Sequence, residues 1–451
     1  MAGGTAAQTS PSPRMDLAEG PAGRSFAFDG HGRIALDTFL AEVRGVAADL
    51  PDAACAINLC EDRYRFLVAF CAAAVRGQTN LLPSSRTPAA IEDVRRQYPD
   101  SYCIADVRLS PAPPRLHALP ERLPKHDGPM PQVDADALAM IGFTSGSTGT
   151  PKPNPKTWGS LRTSTGQNLG ALRHLWPEGI TVPIVATVPS QHMYGMELSV
   201  LLPLFAQAAV HGGRPFFPED VARAVRDADA PALLVTTPVH LRALVESGIV
   251  LPPLAGIVTA TAPLPQALAA AAEQHFGVEV RELFGSTETC VIAQRRTARE
   301  EEWRLLPGIR LQPQPDGTLV FGPHLPAPVP LADLVEVRAD GGFVLRGRQS
   351  DLLEIAGKRA SLGDLTRRLL AVPGVLDGVV LQLEPCEITG VRRIAALVVA
   401  PELQETAILD ALRQAVDPVF LPRRLRLVDA LPRNDTGKLP RDALLRMLEG
   451  A

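Results

Sequence analysis

Short, nearly unbroken apolar strings recur along this chain at intervals that leave room for a helix between them. Ala53–Cys60, Tyr102–Val107, Ala137–Phe143, Val182–Val188, Ala232–Thr236, Gly256–Ala260 and Val278–Leu283 are of this kind. Amphipathic stretches such as Tyr64–Arg76 and Pro88–Gln97 stand between them. Strands that are apolar on both faces must be covered on both faces, so the pattern predicts an α/β fold of parallel sheets flanked by helices. From about Asp316 the texture changes. Gly317–Gly322 and Asp333–Leu345 read as antiparallel hairpins, the second with a turn at Ala339-Asp340-Gly341-Gly342. Beyond Gly347-Arg348 comes a helix at Leu362–Leu370, then strands at Val379–Gln382 and Ile394–Val399. A helix at Glu405–Ala415 and a strand at Leu425–Val428 complete an α+β unit able to fold by itself.

Composition narrows the function classes. The 451 residues carry 45 Lys+Arg against 49 Asp+Glu, a formal charge of −4, without the basic stripe of a nucleic-acid protein. The longest clean apolar run, Phe66–Val75, is about half the ~20 residues that cross a bilayer, so no membrane span is expected. Residues 1–23 are rich in Ala, Gly, Ser and Pro and read as a flexible tail with no secretory signal, which points to the cytoplasm. The Pro-rich stretch Pro111–Pro131 reads as a surface linker. Cys55, Cys60, Cys71, Cys103, Cys290 and Cys386 form no C-x-x-C pair, and the histidines have no metal-ligand spacing. Buried reduced thiols are expected.

The stretch Ile141-Gly-Phe-Thr-Ser-Gly-Ser-Thr-Gly-Thr-Pro-Lys152 carries the clearest chemistry. An apolar strand runs into small and hydroxyl residues and ends at a lysine. Backbone N–H groups, hydroxyls and an ammonium suit a phosphate; a plain flexible loop is the alternative. A Walker loop is excluded, because Pro151, Pro153 and Pro155 forbid the helix it opens. The G-x-S-x-G elbow of serine hydrolases fails too, since Ser145 stands two residues before Ser147.

Thr144-Ser-Gly-Ser-Thr-Gly-Thr-Pro-Lys152 resembles the signature loop of the adenylate-forming superfamily of acyl- and aryl-CoA synthetases, peptide-synthetase adenylation domains and luciferases. Further motifs follow in that family's order. Pro189-Ser-Gln-His-Met-Tyr-Gly195 resembles P-x-x-H-x-x-G, and Thr261-Ala-Pro-Leu-Pro265 the adenine loop. Phe284-Gly-Ser-Thr-Glu288 resembles the aromatic-G-x-T-E motif. Asp333 sits at the aspartate of T-G-D, Gly347-Arg348 at the residues before the hinge, and Asn434-Asp-Thr-Gly-Lys438 at the terminal G-K motif. The resemblance implies a large N-terminal domain (24–348) with parallel sheets and a β-barrel-like subdomain. It also implies a small mobile C-terminal lid (349–451).

The same resemblance implies the chemistry. A carboxylate, ionised at neutral pH and needing no general base, attacks the α-phosphorus of ATP and expels pyrophosphate. Thr144, Ser145, Gly146, Ser147, Thr148 and Gly149 are then expected on the β- and γ-phosphates, with Lys152 beside them. Thr261, Ala262 and Pro263, with Glu282, Leu283, Phe284, Gly285 and Ser286, are expected around the nucleotide, Phe284 stacking on adenine. Thr287 is expected on the α-phosphate and Glu288 on Mg²⁺. Asp333 would accept the ribose hydroxyls with help from Arg348. Lys438 would bridge carboxylate and phosphate when the lid closes. His192, Tyr194 and Gly195 are expected beside the acid.

This sequence departs from the family pattern in places. Pro153 replaces the usual glycine, a second lysine follows at Lys156 so that either lysine could serve the phosphates, and T-G-D reads Leu331-Ala-Asp333. Ser350 or Asp351 stands at the hinge. The segment Leu353–Arg359 implies a second half-reaction at a phosphopantetheine thiol, of coenzyme A or of an acyl carrier protein. Asn80–Pro88 and the residues around Gly285–Thr297 are similar to AMP-ligases of bacterial aryl-polyene and xanthomonadin-type pigment clusters. That similarity implies a 4-hydroxybenzoate-like acid, with fatty or β-hydroxy acids as the alternative. An amino-acid substrate would need an acidic partner, for which Glu197 is nearest. A non-catalytic nucleotide-binding regulator is the rival of another class.

Overall fold

The computed structural model describes residues 13–144, 151–348, 352–355, 358–383, 393–434 and 437–450. By packing, the chain forms two units: Met1–Glu300 with Pro323–Pro326, and Glu301–Gly322 with Ala327–Ala451.

Two sheets organise the first unit. One runs in the order Lys152–Thr157, Leu138–Thr144, Thr79–Leu82, Cys55–Asn58, Ser101–Ala105, Leu116–Ala118. It is parallel throughout except at its first pair. The part of the other that lies in this unit runs from Cys290–Arg295 through Val280–Ser286, Leu254–Thr259, Ala232–Thr236, Val182–Ala186 and Ala208–His211 to Ser25–Asp29 and Gly32–Ala35. It too is parallel inside and antiparallel at these two ends. The parallel sheets follow from strands such as Ala232–Thr236, in which every residue is buried.

Local chemistry sets where the helices begin. Thr87 and Thr237 accept from the backbone N–H of Ala90 and His240, and a proline follows each at the first helical position. Thr157 caps Trp158–Leu172 in the same way. The buried Arg63 crosses between elements. Its guanidinium donates to Ala186 O at 2.9 Å, Val188 O at 2.8 Å, Ser190 Oγ at 3.2 Å and Ser199 Oγ. Burial lowers its pKa to about 9.

Two expectations are corrected in this unit. Within the tail expected over 1–23, Arg14–Asp16 pairs antiparallel with Gln132–Asp134, and Leu17 and Ala18 are buried. Apolar side chains so covered hold the segment down. The linker expected at Pro111–Pro131 supplies the strand Leu116–Ala118, which pairs parallel with Ser101–Ala105. Cys60, Cys71, Cys103 and Cys290 are buried free thiols and Cys55 is half-buried, while Cys386 lies outside the described residues.

The second unit contains a three-stranded antiparallel sheet of Arg310–Gln314, Gly317–Phe321 and Val329–Leu331, and a hairpin of Asp333–Val337 with Phe343–Arg348. The expected β-barrel-like subdomain is therefore corrected. Among the described residues these strands form small separate sheets and no closed barrel, because closure needs a continuous staggered ladder. A second hairpin, Leu352–Ile355 with Lys358–Ser361, precedes the helix Leu362–Leu370. The sheet Asp377–Gln382, Ile394–Val399, Arg424–Leu427 has Ile394–Val399 at its centre. Alternate residues of that strand feed two cores. Ile394, Ala396 and Val398 pack with Leu365, Leu369 and Ile408, while Ala395 and Leu397 pack with Leu444 and Leu448. No helix of the described residues is long and apolar enough to cross a membrane.

Candidate active site

The Gly/Ser/Thr loop springs from a pinned root. Thr144 and Lys152 are cross-strand partners in an antiparallel pair, and Asn154 Nδ2 donates to Thr144 Oγ1 at 3.4 Å. Two of the prolines that exclude a Walker helix, Pro153 and Pro155, lie on the edge strand Lys152–Thr157, where a missing N–H is tolerated. Ser145, Gly146, Ser147, Thr148 and Gly149 lie outside the described residues. The two lysines separate in character. Lys152 is exposed, whereas Lys156 is buried and its Nζ donates to the backbone carbonyl of Glu288.

The aromatic-G-x-T-E segment ends the strand Val280–Ser286 and turns sharply. Leu283 is buried and Phe284 half-exposed. Gly285 must be glycine: a Cβ there would lie 2.1 Å from Cys290 O. Ser286 and Thr289 staple the turn. Each backbone N–H donates to the other's hydroxyl at 3.1 Å, and Cys290 leaves the turn at φ 59°. A Cβ on Gly142 would meet the Thr287 methyl at 3.1 Å. Thr287 is thus packed against the strand that leads into the Gly/Ser/Thr loop, which joins two motifs far apart in sequence.

Glu282 braces the Thr261–Pro265 loop from behind. Its buried carboxylate accepts from Leu264 N–H at 2.9 Å, Arg295 Nε at 2.8 Å and Thr297 Oγ1 at 2.6 Å. Thr261 holds the rare φ of 83° for a threonine, with Ala262 half-buried and Pro263 exposed. A β-branched residue in that region is strained and marks a backbone fixed by its surroundings.

On the P-x-x-H-x-x-G segment, His192 is half-buried before the helix Met193–Met196. Gly195 has no room for a side chain, a Cβ there lying 2.0 Å from Pro189 O. Tyr194 is buried and its hydroxyl donates to Val258 O at 2.8 Å, so its polar end is committed to the strand beside it. Burial pushes its pKa well above the ordinary phenol value. Glu197 opens one turn of π-helix, a break that often accompanies function. Its carboxylate accepts from Ser164 Oγ at 2.6 Å, Asn168 Nδ2 at 2.9 Å and Val291 N–H. These donors occupy the group weighed above as a partner for an α-ammonium. Sequence reasoning missed His324, a lone histidine in a Pro-rich stretch, whose Nε2–H donates to Thr289 O at 2.7 Å.

In the second unit, Asp333 and Arg348 are cross-strand register partners, and Thr318 Oγ1 donates to Asp333 O at 2.7 Å. Lys438 is exposed on a turn closed by Asn434. Lys438 N–H donates to Asn434 Oδ1 and Asn434 N–H to Lys438 O, both at 2.9 Å. Arg433 anchors this turn to Asp377 through a bidentate pair and donates to Gly437 O at 2.8 Å. Ser350 and Asp351 lie outside the described residues.

Among the described residues no three His, Cys, Asp or Glu side chains gather as a metal cage. A magnesium ion that takes most of its ligands from nucleotide phosphates and water needs no such cage.

The sequence profile of the AMP-binding enzymes matches residues 52–315, which include the loop root, the Thr261–Pro265 loop and the Thr287 turn. The chain belongs to the AMP-binding enzyme family. As an AMP-forming ligase of this family it activates a carboxylic acid through an acyl-adenylate. A 4-coumarate–CoA ligase of Rhodobacter capsulatus is 32% identical over 337 residues, covering 72% of this chain and 80% of its own. An L-proline–[L-prolyl-carrier protein] ligase of Pseudomonas fluorescens is 30% identical over 38% of this chain and 41% of its own. The fold matches that of o-succinylbenzoate coenzyme A synthetase from Bacillus subtilis, solved with ATP and magnesium. The TM-score is 0.79 at 17% identity, over 93% of this chain and 96% of that one.

Proposed function

We propose that this chain is a cytoplasmic ligase that joins a 4-hydroxybenzoate-like aryl acid to ATP, releasing pyrophosphate, and then passes the acyl group to a phosphopantetheine thiol. The observation that carries the reading is the seating of Thr287 against Gly142. It supports assigning Thr287 to the α-phosphate, because its methyl packs against the strand that leads into the Gly/Ser/Thr loop. Thr144–Gly149 and Lys152 hold the outer phosphates, Phe284 covers adenine, and Asp333 with Arg348 takes the ribose. Glu288 holds magnesium, which neutralises phosphate charge when bound. Lys438 comes in with residues 349–451, turning at Ser350 or Asp351, and bridges the attacking carboxylate and the α-phosphate. His192 and Gly195 flank the acid. In the second orientation the Glu354–Lys358 hairpin approaches the thiol.

The aryl preference and the CoA acceptor draw support from the 4-coumarate–CoA ligase relative, and a carrier-protein acceptor from the prolyl ligase. Pyrophosphate exchange with a panel of aryl, fatty, β-hydroxy and amino acids tests the reading. Exchange with hydroxybenzoates is expected. Exchange confined to aliphatic acids would replace the substrate, and no exchange with any acid would leave a nucleotide-binding regulator.

A further inference from the structure

The turn that carries Thr287 and Glu288 rests on three buried ionisable side chains from three separate elements. Lys156, on the edge strand Lys152–Thr157, donates to Glu288 O. His324, from the short Pro323–Pro326 segment packed with the first unit, donates to Thr289 O at 2.7 Å. Glu197, at the π-turn, receives Val291 N–H on both carboxylate oxygens at 3.1 and 3.2 Å. Their exposures are 8%, 3% and 1%. Lys156 and Glu197 lie in each other's field, and Lys156 also acts on His324.

Stability alone does not account for this arrangement. Burying an ion costs several kcal/mol before pairing, and a methionine at position 156 would fill the same space. The turn is already stapled by Ser286 and Thr289, so the outer contacts add orientation. His324 Nδ1 has no hydrogen-bond partner among the described residues, so the hydrogen bond seen for that ring is the one to Thr289 O.

We propose that Lys156 and His324, supported by Glu197, are positioning residues of adenylation that fix the carbonyls of Glu288 and Thr289 and so aim Thr287 and Glu288 at the nucleotide. The inference rests on the roles given above to Thr287 and Glu288. Misplacing a reacting group by about 1 Å can cost about 10²-fold in rate. Lys156→Met should therefore lower kcat of pyrophosphate exchange by about 10- to 10²-fold. ATP KM, the AMP affinity measured by calorimetry without magnesium, and Tm should stay near wild type. Lys156→Arg, which keeps charge and donor, should recover most of the rate. His324→Gln should repeat the kcat loss more weakly, and it serves in place of Lys156→Met if that variant does not fold. A wild-type kcat in the folded variants would overturn the proposal. So would a loss of kcat, AMP affinity and Tm together, since that is what a purely structural role gives. Wild-type enzyme inert with every acid would instead sink the roles of Thr287 and Glu288, so the two failures are distinguishable.

Discussion

Two turns carry the proposed chemistry, and they are built in opposite ways. The Ser286–Cys290 turn is held from beneath by Lys156, His324 and Glu197 and closed by a glycine with no room for a methyl. The Asn434–Lys438 turn is held by Asn434 and by the Arg433–Asp377 pair, and it leaves Lys438 exposed. Groups that must stay aimed at a bound polyanion are set in a buried lattice. A group that must arrive and leave is presented on a firm turn at the surface, where desolvation costs it nothing until closure.

The largest test of this contrast is Lys438→Ala. It should lower adenylation by about 10²–10³-fold, or ~3–4 kcal/mol. AMP binding and Tm should be unchanged, since the lysine is exposed; lost AMP affinity in calorimetry would make it part of the standing site. Gly285→Ala probes the other turn. The forced shift of Cys290 O should lower exchange by about 10²-fold and lower Tm as well, and a silent substitution would show that the turn is pliable. Glu282→Gln comes next, weakening charge-assisted bonds of ~1.5–3 kcal/mol behind the Thr261–Pro265 loop, proposed to face adenine. ATP KM should rise about tenfold with kcat little changed. A fall in kcat at constant KM would move Glu282 to the reacting phosphates.

The smallest effect is on acid stability. Burial, with Lys156 nearby, holds the His324 imidazole below its ordinary value of 6.5, against the opposing pull of Thr289 O. The folded chain then binds fewer protons there than the unfolded one. Stability is present above the ordinary value and is lost as pH falls through the lowered one. His324→Asn should flatten that loss in urea titrations below pH 6.5, and an unchanged slope would place the acid sensitivity elsewhere.

The sheets were legible because their strands are apolar on both faces, and Pro88–Gln97, Leu362–Leu370 and Glu405–Ala415 have the bounds their periodicity predicts. The Gly/Ser/Thr loop and the Thr287 turn were legible as motifs, because small residues and hydroxyls have few other uses in that order. What escaped depends on contacts between distant residues. The strand Leu116–Ala118 has no apolar run and exists through its pairing with Ser101–Ala105. The barrel expected over the hairpins failed for a related reason, since ladder closure is a property of several strands at once. Lys156 looked interchangeable with Lys152, and only the fold separates a buried ammonium under Glu288 from an exposed one. His324 has no motif around it; its meaning lies wholly in the carbonyl it meets.

The prolines of the edge strand Lys152–Thr157 have one more effect. A sheet margin with a full row of outward N–H groups invites another chain to dock and continue the ladder. Pro153 and Pro155 remove two of those donors at the margin beside the Gly/Ser/Thr loop. The sheet ends there, and the strand that roots the loop proposed to hold phosphate is kept clear of stray β-partners.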